Sequence, residues 1–253
     1  MQSIIKYIIL TGLRDRLYLG IFIALIAAFA LSIFLGSTVL VEAGQTTLAY
    51  IAGTSRATII VGMILFVCLS INRAFENKEV EFILAKAISR EQFILSYLAG
   101  FLLTSALILM PLIMAIFILA PTNKIGILVW SLSLFAEMWI VISFAILTSL
   151  ILRNSFSSIL STLAFYLISR LMGIFVLAIN LPQDFAQAKN HLLPSILKMI
   201  SLFFPRLDLF TQSEWLAYGV TDFSRAKIIA LQSAIYISLM IFMAFFDFRR
   251  KEF

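Results

Sequence analysis

The sequence predicts an all-α, polytopic membrane protein with six transmembrane helices, and three observations carry that prediction. Hydrophobic residues make up 62% of the 253-residue chain and charged residues only 13%, whereas soluble domains run near half apolar and a quarter charged. The mean hydropathy is +1.06. The apolar residues also arrive in blocks of about 20, the length that crosses a hydrocarbon core of about 30 Å as a helix, with charge clusters between them. Lipid is the expected solvent for most of a single membrane domain, residues 1–253.

Before the first block, Ser3, Lys6, Tyr7, Thr11 and Arg14 recur at helical spacing while Ile4, Ile5, Ile8 and Ile9 cover the other side. This pattern predicts a short interfacial helix on the membrane surface, with a plain extension of the first span as the alternative. The six spans follow from the apolar runs between charge clusters: Leu17 to Leu40, Leu48 to Ile71, Phe93 to Leu119, Ile125 to Ile151, Ser157 to Leu181 and Ala226 to Phe246. Arg56 interrupts the second, and the uninterrupted part from Ala57 to Ile71 is only about 22 Å long. That helix should therefore begin before Arg56, whose side chain would snorkel to the interface. The first block follows Arg14, Asp15 and Arg16 and leads into further spans without a small-residue cleavage signal, so no removable signal peptide is expected.

With six spans, both termini share a side. The segments on that side hold 11 Lys and Arg residues and those on the other hold 7, most of the latter in one long segment, so both termini are expected to be cytoplasmic. That long outer segment, from Pro182 to Arg225, contains Pro194, Pro205 and an apolar run from Ile196 to Phe204. The run is too short to span and too apolar for a free loop, which predicts short re-entrant or interfacial helices capping the outer face. Trp215 and Tyr218 are candidate interfacial anchors.

The residues exclude several chemistries. No glycine precedes a lysine, so there is no phosphate-cradling loop with its Lys. The single histidine, His191, rules out paired-histidine zinc motifs within one chain, and no serine sits in a G-x-S-x-G elbow. The single cysteine, Cys68, lies in an apolar block and reads as a small buried residue rather than a disulfide or metal partner. No catalytic residue, metal ligand or cofactor is expected on this chain. If ATP and its Mg are used, another subunit holds them. The net charge of +6 and pI near 9.6 arise from residues flanking membrane spans, as topology and anionic headgroups require, and no nucleic-acid partner is expected.

The polar segment between spans two and three, NRAFENKEVEFILAKAISREQ from Asn72 to Gln92, is the one internal loop large enough to engage a partner. Ser89 and Gln92 have the spacing of a helix N-cap, and the patch Phe82, Ile83 and Leu84 would face lipid or protein, so short helices parallel to the membrane are expected there. The link between spans four and five, around Arg153 to Ser155, is minimal.

The stretch from Glu76 to Gly100, with FILAKAISR at its centre and FILSYLAG after it, resembles the hallmark of ABC-2 family transporter permeases. There an acidic segment leads into a leucine-rich run, then Pro-[Ile/Val]-Ser-Arg, then the third span. The likeness extends to six spans, a long outer segment with Pro205 followed by Asp208 to Phe210, and the basic end Phe248 to Phe253. Ala87 stands where the family usually has proline, Lys78 and Glu79 where Gly-Thr is frequent, and Ser96 and Tyr97 where Gly-Lys is common. The resemblance implies a membrane-spanning subunit of an exporter in the inner (plasma) membrane of a bacterium. Such a subunit pairs with a second permease copy or paralogue and is driven by a separate cytoplasmic ABC ATPase. It further implies that Glu76, Glu79, Glu81, Phe82, Ser89 and Arg90 make or frame the ATPase-coupling surface, through charge-assisted contacts.

Two ionisable residues lie well inside spans: Glu137 in the fourth and Arg170 in the fifth. Counted from the shared turn, both lie about 20 Å deep. A buried charge costs several kcal/mol unless paired or wet, so antiparallel neighbours at matching depth predict a Glu137–Arg170 ion pair, serving either as a structural pin or as part of a substrate path. Gly62, Gly126 and Gly173 are candidate points of close helix approach. Two other classes remain open: a stand-alone secondary transporter or channel, which would place more polar groups at mid-membrane, and a membrane enzyme or assembly scaffold.

Overall fold

A computed structural model describes residues 2–14, 16–39, 42–84, 89–119, 124–180, 203–220 and 223–250. Among them every regular element is helical: α1 (Gln2–Arg14), α2 (Arg16–Ser37), α3 (Ala43–Glu76), α4 (Glu79–Leu84), α5 (Arg90–Leu119), α6 (Lys124–Leu152), α7 (Ser155–Asn180), a 3-10 turn (Leu207–Leu209), α8 (Glu214–Ala217) and α9 (Ser224–Arg250). Six of these, α2, α3, α5, α6, α7 and α9, are long and apolar enough to cross a membrane. Most of the apolar run from Ile196 to Phe204, His191, and Lys86 to Ile88 lie outside the described residues.

Helix α3 begins 13 residues before Arg56 and is 34 residues long, about 51 Å. That exceeds a hydrocarbon thickness of about 30 Å, length enough for polar ends to reach past the apolar layer. In the most apolar stretch of each long helix, 72% of α6 residues and 61% of α3 residues are buried, against 22–33% in the other four. Helices α3 and α6 therefore form the centre, packed against each other, with α2, α5, α7 and α9 around them. The outer helices turn large apolar side chains outward, among them Ile26, Phe34, Ile118, Leu177 and Phe242, the surface that a lipid solvent favours.

Small hydroxyls join the central helices where hydrocarbon offers no other partner. Thr148 on α6 and Thr162 on α7 lie 2.9 Å apart, and Cys68 on α3, fully buried with a free thiol, sits 3.9 Å from the same Thr162 hydroxyl. The turn between α6 and α7 is closed by Asn154, whose Oδ1 accepts from the backbone N–H groups of Phe156 and Ser157 at 3.0 and 3.3 Å, an N-cap.

Both described chain ends lie at one end of the bundle. Helix α1 packs along α5, with Ile8 seated against Gly100. Arg90, at the start of α5, donates from Nη1 to the carbonyls of Phe248 and Arg249 at 3.0 Å each. A guanidinium on the terminal carbonyls of α9 satisfies groups that the helix cannot bond itself and complements its dipole. Glu91 pairs with Arg249, and the rings of Phe93 and Phe248 stack at 5.5 Å.

Candidate functional site

At the end of the bundle away from the termini, the segment 205–217 folds back into the helices around buried charge. Glu137 is fully buried on α6. Its Oε2 accepts a 2.7 Å hydrogen bond from the Thr211 hydroxyl, and its Oε1 lies 3.7 Å from Arg170 Nη1 on α7. The two predicted partners are thus brought within ion-pair distance, but no hydrogen bond joins them. Arg170 spends its donors on the turn instead: Nη1 donates to the Leu207 carbonyl and to that of Phe210 at 3.1 Å. The Leu207 carbonyl also accepts from the Phe210 N–H at 3.1 Å, but the Phe210 carbonyl is met by the guanidinium, and a buried carbonyl without a donor would cost about 1–3 kcal/mol, so the guanidinium and the turn stabilise each other.

Arg56 completes the cluster. Rather than snorkelling to an interface, it points inward, and its Nη1 donates to the Thr211 hydroxyl at 2.8 Å and more weakly to the Thr211 carbonyl at 3.4 Å. The physical reason is competition: a buried carboxylate and an inserted polar turn lie within the reach of its side chain, and they offer acceptors where lipid offers none. Thr211 adopts a left-handed φ of 47°, an unfavourable region for a β-branched residue. Its N–H, hydroxyl and carbonyl are all engaged: the N–H donates to Ser133 Oγ at 2.9 Å, so three side chains from α3 and α6 hold one residue. Asp208 pairs with Arg206 at 2.9 Å and lies against Gly173, where a Cβ would come within 2.7 Å of its Oδ2.

Helix α8 is placed by Gly126. A Cβ there would stand 1.9 Å from the Trp215 carbonyl oxygen, so only glycine lets the backbone come this close. Trp215 is itself buried in the protein, not an anchor at a lipid interface, because α8 packs between α3 and α6. Tyr218 is exposed and donates to Glu42 Oε2 at 2.7 Å. That bond is the largest factor raising its phenol pKa.

The residues singled out between α3 and α5 lie at the opposite end. A left-handed Lys78, φ 57°, turns the chain from α3 into α4, and buried Val80 anchors the short helix. Glu76, Glu81 and Phe82 are exposed and Glu79 is half-buried. Glu79 Oε2 accepts from the Tyr7 hydroxyl of α1 at 3.2 Å. Burial first, and then the Glu79 charge, push the Tyr7 phenol above its ordinary range. Ser89 and Gln92 form a capping box: the Gln92 N–H donates to Ser89 Oγ at 3.2 Å, and the Ser89 N–H to Gln92 Oε1 at 3.4 Å. Arg90 is turned toward the end of α9, so it braces the segment from behind.

Sequence reasoning placed Glu137 with Arg170 but missed Thr211, Ser133 and the inward role of Arg56. Ser133 was findable, since it stands one helical turn before Glu137 on the same face. Thr211 and Tyr7 carry no local signal, because their partners are over 70 residues away in the chain. No family model matches the chain, and no curated protein matches it.

Proposed function

We propose that this chain is the membrane-spanning permease subunit of an ATP-binding-cassette exporter, working with a second permease and with ATP hydrolysed on a separate cytoplasmic subunit. The observation that carries this reading is α4: a short helix with an exposed acidic and aromatic face, Glu81 and Phe82, hung on buried Val80 between two long apolar helices. A push on such a surface reaches α3 through the tight Lys78 turn and α5 through the capped start at Ser89. It reaches α1 through Tyr7 and α9 through Arg90. In this reading α1 lies in the membrane interface, the termini and α4 face the cytoplasm, and the 205–217 segment closes the outer face. Glu76, Glu79 and Glu81 supply acceptors for basic groups of the ATPase, and Arg90 and Ser89 hold the surface in place.

Charge reversal at Glu81, alone and together with Glu79, tests this in the full chain co-expressed with a cytoplasmic ABC ATPase from the same genome. Both variants should insert and melt as folded proteins but lose ATPase association, the double more completely because it removes two of the three acceptors. Normal association and transport in the double variant would refute the assignment of the surface. The buried group of Arg56, Glu137 and Arg170 favours a second reading, a stand-alone secondary transporter. Ion-gradient-driven uptake by the purified chain in liposomes, with no ATPase present, would select it.

A further inference from the structure

A cavity of about 180 Å³ lies where α1, α3, α4 and α5 meet. It is too small for a drug-sized ligand, which needs about 300 Å³ or more, but holds a compact polar group. Its lining combines two chemistries. Phe66, Tyr97 and Phe101 contribute aromatic rings, while Thr11, Ser70, Asn77 and Glu79 supply oxygen acceptors and Arg73 a guanidinium. Tyr7, 47% exposed, also lines it, with its hydroxyl on Glu79. Arg73 is itself engaged within the protein, but a guanidinium carries five donors and can serve several acceptors at once.

One cation, one carboxylate, several hydroxyl or amide oxygens and aromatic faces in a single small cavity fit a ligand that carries both charges. An anion alone would meet Glu79 unfavourably, and a cation alone would meet Arg73. The guanidinium suits a phosphate diester. The carboxylate and neutral oxygens suit an ammonium that can donate hydrogen bonds, and the aromatic rings add cation–π attraction. A primary ammonium uses all of these acceptors, whereas a quaternary one has no N–H to give. Arg73 lies in the last turn of α3 and Asn77 caps its end, just past the apolar stretch, where a span meets the headgroups.

We propose that this cavity binds the phosphoethanolamine headgroup of a phospholipid, with the phosphate toward Arg73 and the ammonium toward Glu79. The site ties α1, α4 and the two spans together; it shares Glu79 with the proposed ATPase surface, so its test uses the permease chain with no ATPase present.

Delipidated full-length protein, titrated with phosphatidylethanolamine, phosphatidylglycerol and phosphatidylcholine of identical acyl chains and read by native mass spectrometry, tests it. Phosphatidylethanolamine should bind saturably and about tenfold or more tighter than the other two, the scale of one charge-assisted hydrogen bond. Glu79→Gln should reduce it to the level of phosphatidylglycerol, and Arg73→Gln should weaken both phospholipids. Ser70→Leu, which fills the cavity but removes no charge, should abolish the preference while the protein still melts cooperatively. No preference among the three lipids, or a preference unchanged in Ser70→Leu and Glu79→Gln, would overturn the proposal. So would equal affinity for soluble glycerophosphoethanolamine, because the membrane would then not be the source.

Discussion

Replacing Arg170 by methionine keeps a long flexible side chain but removes the donor that holds the inserted turn. Two charge-assisted hydrogen bonds, to the carbonyls of Leu207 and Phe210, would be lost at about 1.5–3 kcal/mol each. The attraction to Glu137 at 3.7 Å would go as well, a gross term of about 4 kcal/mol at an effective dielectric of 20. Relief from burying the guanidinium offsets part of this, leaving a net cost of about 3–5 kcal/mol, the range for breaking a buried pair. Glu137→Gln should cost less, because the amide oxygen can still accept from the Thr211 hydroxyl. The double variant should cost less than the two singles together, because the Coulomb attraction would otherwise be counted twice. Cys68 is the only cysteine and is fully buried, so a thiol-reactive dye reports unfolding directly during a thermal ramp in nanodiscs. The melting temperature should fall from wild type to Glu137→Gln and be lowest for Arg170→Met. If Arg170→Met melts with the wild type, or above Glu137→Gln, then the guanidinium does not hold the outer segment and the reasoning fails.

Three further outcomes are expected. Gly126→Ala should displace α8, since the new Cβ would stand 1.9 Å from a backbone oxygen; faster proteolysis within residues 205–217 would show it. Ser89→Ala should destabilise the start of α5 by about 1 kcal/mol, seen as faster amide exchange at Glu91 to Phe93, and Ser89→Asp should restore most of the protection. The raised Tyr7 pKa means that the folded state favours the neutral phenol. The Tyr7–Glu79 bond is therefore intact below pH 10 and its stabilisation is lost as pH rises past that value. An ultraviolet difference titration of wild type against Tyr7→Phe should place this phenol above the ordinary tyrosine value, and a value below it would contradict the contact.

Much of the membrane architecture was legible because hydrocarbon thickness imposes a length that sequence displays directly. The six long helices begin and end within a few residues of the apolar runs. The pairing of Glu137 with Arg170 was legible for a related reason: a two-residue turn makes α6 and α7 neighbours, and rise per residue sets equal depth. The same count could not show that Arg170 would give its hydrogen bonds to backbone carbonyls. Those belong to a turn 37 and 40 residues further along, placed by an insertion that no periodicity encodes. Arg56 shows the limit most clearly. Its position in a span marks it as costly, but whether it reaches outward or inward depends on what lies beside α3.

Local composition set against a fixed bilayer thickness is enough to specify the solvent, the number of long apolar helices and their order. Packing selects which helices are central and lets Arg90 brace the end of α9. It alone decided that Thr211 gathers Arg56, Ser133 and Glu137, and that a charged and aromatic cavity opens beneath α1. Each of these is a contact between residues far apart in the chain, settled by which buried donor finds an acceptor once the helices have packed.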